Sequence, residues 1–229
     1  MTEFRYFSLA EADSAQGTTV VIDVLRAFTT AAYAFHGGAR RIYPVAGVEE
    51  VLHLKSQLDD ALTMGEVDGF KPEGFDFGNS PAVIRNVDLQ NRILVQRTSA
   101  GTQGLIRAKQ ADQLLAASFV VAKATATYLR SLQPDLISFV VTGVCPGRDG
   151  DEDRACGDYI EAMVRGKDPD PQDYTKRVAT STIGKSFYED KVAYLLQEDY
   201  ELSIWADIFN FYMPIRIEDD LLVLENSEI

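Results

Sequence analysis

Histidine and cysteine are scarce in this chain, with two of each among 229 residues. His36 and His53 both fall within helical patterns, so a Ser-His-Asp triad or a histidine-based phosphoryl transfer has little material to work with. Cys145 and Cys156 fit no zinc spacing. Neither opens the Cys-x5-Arg signature of cysteine phosphatases, because position 151 is Asp and position 162 is Ala. No apolar run reaches the roughly 18 residues a membrane span needs. The first residues, MTEFRYFSLAEADSAQG, have no basic flank ahead of an apolar stretch, so no secretory signal is expected and a cytoplasmic protein is. Basic residues are also in deficit, 22 Lys and Arg against 35 Asp and Glu, for a net charge of −13. That balance argues against nucleic acid and an anionic membrane as partners, since both require a basic face. It does not exclude a small anionic ligand, because charge is screened beyond roughly 8–10 Å and a local cluster can reverse the sign.

What is present is an alternation of apolar runs with helical-period segments. TTVVID (18–23), RIYPVA (41–46), ALTMGE (61–66), RILVQ (92–96), DQLLAAS (112–118) and DLISFVVTG (135–143) read as strands, with helical patterns between them. The spacing predicts a three-layer α/β/α fold with a largely parallel sheet covered on both faces, and a single domain over 1–229. Residues 211–226 read as two strands joined by Glu218-Asp219-Asp220, which predicts an antiparallel C-terminal edge to an otherwise parallel, mixed sheet.

In such a sheet, sites form at the carboxyl ends of the strands. Asp23 and Arg26 follow the first of these strands, and Glu66 follows the third, with Asp76, Asn79 and Ser80 close behind. After 92–96 comes RTSAGTQG, in which Arg97, Thr98, Ser99, Gly101 and Thr102 gather donors in a turn. Arg148, Glu152 and Asp153 follow the last strand. Each carboxylate alone reads as a helix cap or loop acceptor, and the acids opening the helix at 151 suit the helix dipole without any metal. Arg26 and Arg97 are harder to dismiss, because a guanidinium in apolar surroundings needs a partner. Together the groups are of two kinds: oxygen ligands for a hard cation and donors for phosphate. That combination is phosphate-ester chemistry. A nucleotide P-loop fits badly, since Ala179-x4-Gly184-Lys185-Ser186 lacks the first glycine and follows no hydrophobic strand.

Val20-Val21-Ile22-Asp23-Val24-Leu25-Arg26-Ala27, Gly65-Glu66, Gly74-Phe75-Asp76-Phe77-Gly78-Asn79-Ser80-Pro81, the Thr98–Thr102 turn and Glu152-Asp153-x2-Ala155-Cys156-Gly157 resemble the 2-phosphosulfolactate phosphatases over about residues 18 to 160. The resemblance implies a Mg²⁺-dependent acid phosphatase with a three-layer α/β fold. Its reaction takes 2-phospho-3-sulfolactate to sulfolactate and phosphate on the route to coenzyme M. Phe28 stands where the family has a small residue, and Ser99-Ala100 where Thr-Asn is common.

The expectation is therefore a metal-dependent phosphomonoesterase acting on a small anionic ester, with a homo-oligomer left open. Asp23, Arg26 and Glu66 are the catalytic candidates. Asp23, Glu66, Asp76, Glu152 and Asp153 are the candidate Mg²⁺ ligands. Arg97, Thr98, Ser99, Gly101, Thr102, Asn79 and Ser80 are the candidate substrate-binding residues. The alternative is a non-catalytic binder of anionic metabolites on the same scaffold.

Overall fold

In chain order the strands are β1 (Glu3–Ser8), β2 (Thr18–Ile22), β3 (Arg41–Pro44), β4 (Leu62–Gly65), β5 (Ile93–Arg97), β6 (Gln113–Ala117), β7 (Leu136–Val141), β8 (Val144–Cys145), β9 (Arg148–Asp149), β10 (Phe211–Glu218), β11 (Leu221–Leu224) and β12 (Ser227–Glu228). The α-helices are α1 (Ala27–His36), α2 (Val48–Gln57), α3 (Pro81–Ile84), α4 (Gly101–Arg107), α5 (Ala122–Leu132), α6 (Asp151–Val164), α7 (Gln172–Val178), α8 (Thr182–Ser186) and α9 (Gln197–Ser203). These elements come from a computed structural model that describes residues 2–145, 147–188 and 194–229.

The main sheet has the order β1-β7-β2-β6-β10-β11-β3-β5-β4. β1, β7, β2 and β6 run parallel as one block, and β3, β5 and β4 as another. Every residue of β2 is buried, as a central parallel strand covered on both sides requires. Its side chains divide between two layers. Val20 and Ile22 enter a core with Leu129, Ala155 and Ile160 of α5 and α6, while Val21 joins Phe28, Ala31 and Leu105 of α1 and α4. Helix α1 is buried from Ala27 to Phe35, which explains why its sequence is apolar around almost its whole circumference.

The C-terminal hairpin is antiparallel, as expected, but it lies in the interior of the sheet and not at its edge. β10 pairs with β6 and β11 pairs with β3, so the hairpin bridges the two parallel blocks. Burial gives the reason. Met213, Val223 and Leu224 are fully buried, and an edge position would leave a strand pair this apolar uncovered. β1, which periodicity did not single out, and β4 are the actual edges.

Candidate active site

The turns after β2, β4, β5 and β7 meet at one cleft. Although β6, β10, β11 and β3 stand between β2 and β5 in the sheet, α4 crosses back from β5 toward β6 and packs on β2. Gln96 Nε2 donates to the Ala27 carbonyl at 3.1 Å, and the turn after β5 closes on the turn after β2.

Asp23 forms the floor. Its Oδ1 accepts from the Ala27 N–H in the first turn of α1 at 2.9 Å. Gly101 backs onto it so closely that a Cβ there would stand 2.8 Å from Asp23 Oδ2 and 2.6 Å from Ala27 Cβ. Burial pushes the Asp23 carboxyl up to about 6, with the Glu66 charge adding and Arg148 opposing.

Beneath Asp23, α6 contributes two further buried carboxylates. Asp153 Oδ1 accepts from Val24 N–H at 2.7 Å, and Oδ2 accepts from Gly143 N–H at 2.8 Å and Thr142 Oγ1 at 3.3 Å. It ties the turn after β2 to the turn after β7, and burial holds it well above the ordinary carboxylate range. Glu152 is treated differently: its buried Oε2 has no hydrogen-bond partner among the described residues. Burial pushes Glu152 up to about 7, helped by the charges of Asp149 and Asp23.

The opposite wall is organised by Glu66. Gly65 makes its position possible, since φ is +141° there and a Cβ would lie 1.9 Å from the Arg97 carbonyl oxygen. Glu66 Oε1 accepts from Ser99 N–H at 2.5 Å, and Oε2 accepts from Gly69 N–H at 2.6 Å and Ser99 Oγ at 3.0 Å. Arg97 braces this wall from outside, donating to the carbonyls of Glu66 at 2.7 Å and Ala46 at 3.2 Å. Thr98 and Thr102 satisfy each other: each hydroxyl accepts from the other residue's N–H, at 2.9 and 3.0 Å.

Arg26 closes a third side. It is 6% exposed, and its Nη1 donates to Asp199 Oδ2 at 2.6 Å and to the Tyr194 carbonyl at 2.8 Å. The resulting cleft of about 380 Å³ is lined by Asp23, Arg26, Glu66, Asn79, Ser99 and Arg148, among others. Such a volume suits a small metabolite. A larger hollow of about 560 Å³, bordered by Gln16, Thr18, Asp112 and Asp135, lies at the amino-terminal ends of β2 and β7, away from these groups.

Six of the residues singled out in the sequence thus line the cleft: Asp23, Arg26, Glu66, Asn79, Ser99 and Arg148. Gly101, Thr98, Thr102 and Arg97 shape it from behind. Ser80 donates to Asp199 Oδ1 at 2.6 Å, one layer out. Asp76 is not brought in, because its Oδ2 is occupied by Lys55 Nζ, Thr63 N–H and Thr63 Oγ1 at 2.7 to 2.9 Å. The P-loop-like stretch runs from the end of α7 into α8, with no strand leading into it. Asp199 and Tyr194 were not foreseen, since no local pattern ties residues near 195 to Arg26. Arg148 stood at a strand end, but only the hairpin β8–β9 brings it over the cleft.

The donor set suits a small hard cation with few protein ligands. Among the described residues, no three His, Cys, Asp or Glu converge closely enough to hold an ion by themselves. Mg²⁺ does not require that, since it binds through one or two carboxylates and keeps waters and substrate oxygens. Glu66, Asp76 and Asp153 have both oxygens, or the oxygen facing their neighbours, engaged by donors. Glu152 Oε2 is buried with no partner among the described residues, and the Asp23 charge acts on the same carboxyl, so these are the two carboxylates a cation would relieve.

The family described as 2-phosphosulpholactate phosphatase matches residues 6–202. A Bacillus subtilis (strain 168) protein named "Probable 2-phosphosulfolactate phosphatase" is 30% identical over 222 residues, covering 96% of this chain and 95% of its own. A protein of the same name from Caldicellulosiruptor saccharolyticus is 32% identical over 205 residues, 88% of this chain and 81% of its own. Another from Carboxydothermus hydrogenoformans reaches 43% identity over 118 residues, 52% of this chain and 49% of its own.

Proposed function

The chain belongs to the 2-phosphosulfolactate phosphatase family, and from this premise we propose that it hydrolyses 2-phospho-3-sulfolactate to 3-sulfolactate and phosphate in the Asp23 cleft, with Mg²⁺. The observation that carries the reading is the composition of that cleft. Buried carboxylates, Asp23 and Glu66, face two guanidinium groups, Arg26 and Arg148, in a space sized for a small ester. A substrate carrying phosphate, carboxylate and sulfonate needs more than one cation, and a chain of net charge −13 supplies them only locally.

In hydrolysis a water oxygen joins phosphorus, the bond from phosphorus to the 2-oxygen breaks, and a proton from the water ends on that oxygen. Arg26, three residues beyond Asp23, would bind the ester phosphate through the N–H groups that no described residue engages. Arg148, on the exposed hairpin, would meet an acidic group at the other end of the substrate. Glu66 binds no substrate in this reading. It fixes Ser99 and Gly69, so that the wall keeps its shape as the ligand enters. Asp23 and Glu152 would hold Mg²⁺. When bound, the ion supplies Lewis acidity toward phosphate oxygens and lowers the pKa of a coordinated water.

The test is phosphate release from phosphosulfolactate, phospholactate and simple phosphate monoesters, in Mg²⁺ and then in EDTA. The expected result is metal-dependent release, fastest with phosphosulfolactate. Binding of these anions without release from any of them would mark a metabolite-binding protein instead.

A further inference from the structure

A carboxylate with no part in the reaction above is buried directly against its arginine. Asp199, on α9, is 0% exposed. Its two oxygens divide their partners. Oδ1 accepts from Ser80 Oγ at 2.6 Å and from Ala82 N–H at 3.0 Å, fastening the start of α3. Oδ2 accepts only from Arg26 Nη1, at 2.6 Å, among the described residues. That same Nη1 donates to the Tyr194 carbonyl at 2.8 Å. Both bonds of Arg26 fall on one nitrogen, so three of its five N–H groups are engaged by no described residue.

We infer that Asp199 is a positioning residue for the phosphatase, setting the angle at which Arg26 presents those free donors to the ester phosphate. The inference rests on the phosphatase reading above. Two considerations support it over a purely structural ion pair. A buried pair contributes little net stability compared with apolar residues of the same shape, so stability alone does not account for this one. Arg26 also shares its cleft with Asp23 and Glu66. An arginine lacking its own buried counter-charge would swing onto those carboxylates and lose its donors to them. Asp199 takes one end of the guanidinium, holds it in place, and leaves the other edge for an incoming anion. The pairing also links α9, at the far end of the sequence, to the turn after β2.

The test uses the full chain and four proteins: wild type, Asp199→Asn, Arg26→Met and the double variant. Asn keeps an oxygen for Ser80 and Ala82 but turns an N–H toward Arg26, so it breaks only the Arg26 arm. The expected result for Asp199→Asn is a rise in KM and a fall in kcat/KM of roughly ten- to hundredfold, the scale of one charge-assisted hydrogen bond. Once Arg26 is gone, Asp199 has nothing left to position. Arg26→Met and the double variant should therefore agree in kcat/KM within about twofold, whatever their melting temperatures. That comparison does not need Asp199→Asn alone to fold: the double variant buries no unpaired charge, and in Arg26→Met the Asp199 carboxylate keeps its bonds from Ser80 Oγ and Ala82 N–H. Wild-type kcat/KM in Asp199→Asn, or a further tenfold loss in the double variant, would overturn the inference. If wild type releases no phosphate at all, the phosphatase reading fails separately. Calorimetric binding of inorganic phosphate then decides the matter: equal weakening by Asp199→Asn and Arg26→Met upholds the positioning role, and unchanged affinity in Asp199→Asn ends it.

Discussion

Gly101 shows how little room the site leaves at the scale of one residue. Its backbone lies against Asp23 and Ala27, where a Cβ would come within 2.8 Å of the carboxylate and 2.6 Å of a methyl. Neither neighbour is the loose end of a long side chain, so both must shift. Gly101→Ala should cost about 1–3 kcal/mol of stability through overpacking. By displacing Asp23 it should also lower kcat/KM by about tenfold or more. Thermal unfolding and steady-state kinetics on one preparation check both effects. A stable, fully active Gly101→Ala would mean that Asp23 tolerates displacement, contrary to the packing. The donors in RTSAGTQG are instructive at this scale too. Their chemistry suggested an anion, but Thr98 and Thr102 bond to each other and Arg97 grips two carbonyls, leaving Ser99 as the hydroxyl-bearing residue of that turn that lines the cleft, its own Oγ donating to Glu66.

At the scale of elements, the parallel strands were legible because each is a short apolar run ending in a polar turn, as β2 and β5 illustrate. The strand-end rule then pointed to Asp23, Arg26 and Glu66 without any knowledge of strand order. Two things were not legible. The hairpin β10–β11 has a clear strand pattern, but nothing local says that it fills a gap between two parallel blocks; that follows from long-range pairing with β6 and β3. Asp199 lies in QEDYELS, where it is one of three acids in seven residues and nothing local marks it as buried. Only its contact with Arg26, 173 positions away, reveals a buried anion. Asp76 is the converse case. It sits in the most distinctive family stretch, GFDFGNSP, and yet its carboxylate caps Thr63 and pairs with Lys55 at the far edge of the sheet.

For the molecule as a whole, the buried acids predict how stability responds to pH and metal. Asp23 is raised from 3.8 to about 6, Glu152 from 4.5 to about 7, and Asp153 is raised well above 3.8. The folded chain therefore holds protons that the unfolded chain releases, and stability in EDTA should fall as pH rises between about 5 and 8. Asp76 and Asp149 are shifted downward and act in the opposite sense, but only below about pH 4, where an unfolded carboxyl titrates. Mg²⁺ at pH 8 should restore what deprotonation costs, and at pH 5.5 it should do far less. Matched sodium chloride separates this effect from relief of the net charge of −13. A melting temperature in EDTA that rises over this window, or that Mg²⁺ leaves unmoved at pH 8, would count against the cluster as a cation site. The claim that joins fold, site and chemistry is that phosphosulfolactate is hydrolysed at Asp23. The most direct measurement is phosphate release from that ester by wild type and by Asp23→Asn, at saturating Mg²⁺, with circular dichroism to confirm that both are folded. The account predicts turnover by wild type and a loss of about a thousandfold in the variant, the scale of removing a principal electrostatic group from an active site. A folded Asp23→Asn that turns over like wild type would contradict it.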